Sequence, residues 1–200
     1  MGLRAVTLRA RLADARRVFE KEDVRALSRR YFVANGFDGT LTSIGVVIGA
    51  YLGGVTDGVT IVGIGLGAAV GLGTSGIWSV WEIERAETSR ARKELEDAML
   101  TSLDDTQLSR DLRTAQILHA LASGTGPVLA VLLTLAPLLL EGVVLSIEQA
   151  VLGSIAVGIL LLASVGAYMG SISQQRWYVA AVRMGLAGIV VAILSVLLPG

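Results

Sequence analysis

Charge is missing from most of this sequence, and that absence limits what the chain can fold into. Residues 39–81 hold one charged side chain, Asp57, and residues 114–200 hold only Glu141, Glu148, Arg176 and Arg183. Residues 1–30 and 82–113 are dense in charge by contrast. A bilayer core about 30 Å thick needs roughly 20 apolar residues in a helix. Five stretches reach that length, at about 31–54, 58–81, 117–140, 143–169 and 178–198. Turn-forming residues separate neighbours: Gly53 to Gly58 after the first, Glu141-Gly142 after the third, and Ser171 to Arg176 after the fourth. The sequence predicts an all-α integral membrane protein with five transmembrane helices. Its expected divisions are a cytoplasmic amphipathic helix at 1–30, spans one and two at 31–81, a short charged cytoplasmic helical segment at 82–116, and spans three to five at 117–200.

Composition removes other classes. Lys and Arg number 17, as do Asp and Glu, so no cationic excess favours nucleic acid. The chain is 53% hydrophobic and 17% charged, too apolar for an ordinary soluble enzyme. There is no Cys and one His, which excludes thiolate sites and His clusters. The spans offer no nucleophile–base pair, so an enzyme is not expected, nor is a permanently bound cofactor.

Residues 1–30 lack the apolar core of a cleavable signal peptide. Leu8, Leu12, Ala15 and Phe19 fall at helical spacing among Arg9, Arg11, Arg16 and Arg17, as in a helix lying on a membrane surface; a solvated basic arm is the alternative. Nine basic residues precede the first span, six follow the second, and Arg176 and Arg183 flank the junction of the fourth and fifth. These are alternate connections, so all 17 basic residues fall on one side. The positive-inside rule then predicts a cytoplasmic N-terminus and an external C-terminus. Two Lys against fifteen Arg suggest a prokaryotic cell membrane.

Within the spans, Gly45, Gly49 and Gly53, and again Gly63, Gly67 and Gly71, recur every fourth residue, a spacing that lets helices approach closely in lipid. Asp38 stands about two turns inside the first span. A carboxylate there is costly unless it faces a partner, and is a functional candidate by default. Asn35, Thr42 and Ser43 add oxygens to the same helix, and Gly36 and Gly39 leave room for a cation or for local unwinding. Hard divalent cations favour such oxygen donors, and a proton competes for the same group. A purely structural or headgroup-level Asp38 is the other reading. In the charged segment, Glu84, Glu87, Glu94 and Asp97 fall within about 140° of one helix face, with Arg90 among them. That face either pairs its own charges or collects cations. His119 opens the third span and reads as an ordinary interfacial histidine. Pro127 and Pro137 are expected to bend that span.

These residues also resemble a known family. Asp38-Gly39 followed by Thr-rich sequence, the glycine-rich second span running into Glu87-Thr-Ser-Arg-Ala-Arg-Lys-Glu94, and Gly166 to Ser171 with Val182 to Leu186 are similar to motifs of the vacuolar iron transporter family. The resemblance implies a homodimer in the lipid bilayer that moves Fe²⁺ or Mn²⁺ out of the cytosol, in some members in exchange for protons. It also implies that Asp38 is the in-membrane carboxylate and that Glu87 and Glu94 belong to a metal-collecting helix. The alternative is a non-transporting scaffold or regulator that binds a partner through its cytoplasmic helices.

Overall fold

The computed structural model describes residues 12–103 and 106–197. Leu8, Arg9 and Arg11 of the expected amphipathic stripe, with Asp104 and Asp105, lie outside the described residues. Helix α1 covers 12–19. The longer helices are α2 (Glu22–Leu52), α3 (Gly58–Met99), α4 (Gln107–Leu135), α5 (Ile147–Ile172) and α6 (Trp177–Leu197). A 3-10 turn, Ala136–Leu140, extends α4. There is no strand among the described residues, and five helices are long and apolar enough to cross a membrane.

Local chemistry explains the helix ends. Asp57 accepts the Thr60 backbone N–H (2.7 Å) and hydroxyl, starting α3. Those bonds, the hydroxyl first, hold the Asp57 carboxyl below its ordinary value. Ser146 and Gln149 form a reciprocal capping box at the start of α5. Gly54 and Gly142 take positive φ, +90° and +76°, in the turns where glycine was expected. Two other ends use residues less suited to them. Leu100 (φ 52°) and Gln174 (φ 55°) occupy the left-handed position after α3 and α5. In both, the next N–H bonds back to the helix, Thr101 to Glu96 and Gln175 to Gly170.

The chain divides into two compact units, one within Met1–Phe32 and Thr74–Gly124, the other within Val33–Gly73 and Thr125–Gly200. In the first, α3 turns Gly76, Val80 and Glu84 inward at four-residue intervals. Facing residues of α4 tie to that stripe with polar side chains: Gln116 donates to the Trp81 carbonyl and Ser123 to the Gly76 carbonyl, each at 2.9 Å. A small apolar cluster of Val18, Val24 and Ala115 joins α1 and α2 to α4. Beside it the Asp111 carboxylate accepts from Arg17 (2.8 Å), Lys21 (2.7 Å) and Gln107 (2.8 Å). These bonds, Arg17 first, outweigh desolvation and hold the Asp111 carboxyl far below its ordinary range. Val18 is the buried residue of α1, whereas Leu12 and Phe19 of the expected apolar stripe stay exposed.

The second unit packs Val47, Ile61, Val131 and Leu138, each 0–1% exposed, into one core. In lipid, close van der Waals fit drives such packing, so small residues mark the contacts. Four of the six glycines that the four-residue spacing singled out are not among them. A Cβ on Gly49, Gly63, Gly67 or Gly71 would meet nothing within 4 Å. The tight positions on α3 in this unit are Gly58, against the Leu138 carbonyl (2.8 Å), and Gly65, against the Leu135 side chain. Pro127 lies inside α4 and Pro137 is the second residue of the 3-10 turn.

Candidate functional site

On α2, exposure follows helical phase around Asp38. At about 100° per residue, Thr42 and Asn35 lie some 40° and 60° from Asp38, and Gly39 and Ser43 about 100° and 140°. Asp38 is exposed, Asn35 and Thr42 are half-buried, and Gly39 and Ser43 are buried. The structure thus groups Asn35, Asp38 and Thr42 on one face and turns Ser43 away. The Ser43 hydroxyl donates to the Gly39 carbonyl, and the Thr40 hydroxyl to Gly36 (2.8 Å). Gly39 leaves no space for a cation, and Gly36 has the α4 backbone at ordinary contact distance. A Cβ at Gly39 would stand 2.6 Å from the Pro127 Cα, and one at Gly36 would stand 3.5 Å from the Gly126 carbonyl oxygen. The room they make is filled by the backbone of α4, and α2 stays helical throughout.

The acids of the charged part of α3 separate in the same way. Glu94 pairs with Arg90 at 2.9 Å, while Glu87 and Asp97 are exposed. Glu84 is different, at 8% exposed. Its Oε1 accepts from the Tyr31 hydroxyl (2.9 Å), and its Oε2 stands 3.0 Å from His119 Nδ1. The His119 contact is close in distance but poorly aimed, so neither ring nitrogen makes a hydrogen bond among the described residues. The Tyr31 and His119 rings lie 6.0 Å apart. His119, 4% exposed, is a buried partner of Glu84 rather than an interfacial histidine. Two signals pointed toward this cluster: the four-residue step from Val80 to Glu84, and a lone His at the mouth of a span. Which acid His119 would meet depended on the packing of α4. Among the described residues, no three His, Cys, Asp or Glu side chains are gathered so that they could hold a metal ion.

Five helices able to span a membrane, with one exposed carboxylate in the apolar part of α2, define an α-helical integral membrane protein. Residues 80–199 match the model of the VIT family, which covers more than half of the sequence, and the chain belongs to that family. It is 28% identical over 168 residues to an uncharacterized protein of Methanocaldococcus jannaschii, covering 82% of this chain and 85% of that relative. No solved structure matches the chain at a significant level.

Proposed function

We propose that the protein carries a divalent metal ion, Fe²⁺ or Mn²⁺, out of the cytosol, with Asp38 as the carboxylate that binds the ion and a proton in turn. The observation that carries this reading is the placement of Asp38, exposed on the surface of one chain within a helix able to span a membrane. An ion there is expensive against lipid and needs a polar cover. A second copy of the chain supplies one: two α2 faces set together gather two Asp38 carboxylates with Asn35 and Thr42 beside them. Carboxylate, amide and hydroxyl oxygens suit hard divalent cations. In this reading the protein is a homodimer in a prokaryotic cell membrane, with the N-terminus in the cytosol and the C-terminus outside. Exposed Glu87 and Asp97 raise the local cation concentration, and the Arg90–Glu94 pair gives Glu94 a smaller part.

Uptake of Fe²⁺ and Mn²⁺ into inside-out vesicles tests it. Asp38→Ala and Asp38→Asn are expected to cut saturable uptake by at least tenfold. Equal uptake by wild type and both variants removes Asp38 from the mechanism. Absence of uptake in all three favours the scaffold reading, which draws on the ion-paired charged face of α3.

A further inference from the structure

A cleft of about 500 Å³ lies between the charged end of α3 and the first half of α4, wholly within the first unit. Trp81, Arg85 and Arg92 line it from α3, and Ser109, Arg113 and Gln116 from α4. Steps of three, four and seven residues place each set on one helix face, so two facing stripes make the walls. Three lining side chains are guanidiniums, and no lining residue is acidic. The carboxylates that approach two of them do so from outside: Glu82 is 3.6 Å from Arg85, and Glu96 is 3.6 Å from Arg92. The Arg85–Glu82 separation exceeds the 2.7–2.9 Å typical of charge-assisted hydrogen bonds. A guanidinium carries five N–H donors, so a distant carboxylate leaves Arg85 with capacity for another acceptor. The Gln116 amide, in contrast, is engaged with the Trp81 carbonyl and fixes the wall. Trp81 ends the apolar part of α3, where an indole sits at headgroup level in a bilayer.

We propose that this cleft binds a phosphate-bearing anion. Arg85 and Arg113 hold the phosphate, Arg92 adds positive charge beside them, and Trp81 lies against the uncharged part of the ligand. Planar guanidiniums match phosphate oxygens two at a time, and a low-charge wall beside them suits an amphiphile. The ligand class is an anionic phospholipid headgroup or a water-borne phosphate, which present the same group to the cleft. The site takes an anion, so it is separate from the cation chemistry of Asp38 and stands whether or not metal is transported.

Native mass spectrometry of the full chain, titrated with phosphatidylglycerol, phosphatidylcholine or inorganic phosphate, tests the proposal. Phosphatidylglycerol is expected to bind at least about tenfold more tightly than phosphatidylcholine, and Arg85→Gln/Arg113→Gln to lose about tenfold or more. Arg110→Gln, an exposed arginine of α4 outside the cleft, is expected to bind as wild type. If inorganic phosphate binds saturably, displaces the lipid and is lost in the same variant, the ligand is water-borne. Lipid binding indifferent to phosphate assigns the headgroup. Wild-type affinity in the double variant, an equal loss in Arg110→Gln, or no retained anion overturns the site. Should the double variant unfold, Arg85→Gln alone carries the test, since that side chain is 66% exposed.

Discussion

Gly39 has no room for a methyl group. Its Cβ position falls 2.6 Å from backbone of α4, which cannot swing aside as a flexible side chain would. Gly39→Ala is expected to lower stability by about 1–3 kcal/mol, the range for an overpacked contact, read as thermal unfolding in detergent. Gly67→Ala, with open space around its Cβ, is expected to leave the single chain as stable or more so by up to about 1 kcal/mol. At Glu84 the effect is polar. Glu84→Ala strips the Tyr31 hydroxyl of its acceptor and His119 of its nearby charge, an expected loss of about 1–3 kcal/mol. Glu84→Gln keeps an acceptor for Tyr31 and is expected to lose less. Equal losses would mean that hydrogen bonding is not what Glu84 provides. The acid was visible in the sequence as one of four on one face of α3. Its burial was not, because that depended on where Tyr31 and His119 came to rest.

At the scale of elements, the charged end of α3 and the clamp on Asp111 behave differently. Leu100, 92% exposed, occupies a left-handed position with nothing to pack against. Leu100→Gly is expected to stabilise the end of α3 by about 1 kcal/mol through relief of that conformation, measured by hydrogen exchange over the last turn. The Asp111 cluster ties α1 and the start of α2 to α4. Its folded value lies below its ordinary 3.8, so the stabilisation is present above that value and is lost as pH falls through it. Stability from this group is therefore flat near neutrality and declines below about pH 4. Asp111→Asn is expected to start lower at neutral pH and to show a shallower acid decline. An unchanged acid profile would remove Asp111 as its source. Half-exposed Arg17 and Lys21 keep the effect modest. The sequence set Leu12 and Phe19 on an apolar stripe, whereas the fold buries Val18, and the pairing of α1 with α4 was not legible either. Residue 17 meets residue 111 only through the packing of distant helices.

For the whole molecule, the proposed homodimer is open to direct trial because the chain has no cysteine of its own. Ala34→Cys, on the exposed side of α2 beside Asp38, is expected to cross-link two chains on mild oxidation in membranes. Lack of a dimer band from Ala34→Cys, with a band from a cysteine at exposed Gly67, would move the interface to α3. The number and approximate limits of the helices able to span a membrane were set by the sequence alone. Apolar length, turn glycines and helix caps act over a few residues, and each works wherever the chain goes. The asymmetric placement of basic residues is equally local, and it carries the predicted orientation. Only the tertiary structure decided which glycines touch, which acid is buried and where Asp38 points. A four-residue repeat defines a helix face but not what that face meets. That choice belongs to residues remote in sequence, as Pro127 decides for Gly39 and His119 for Glu84.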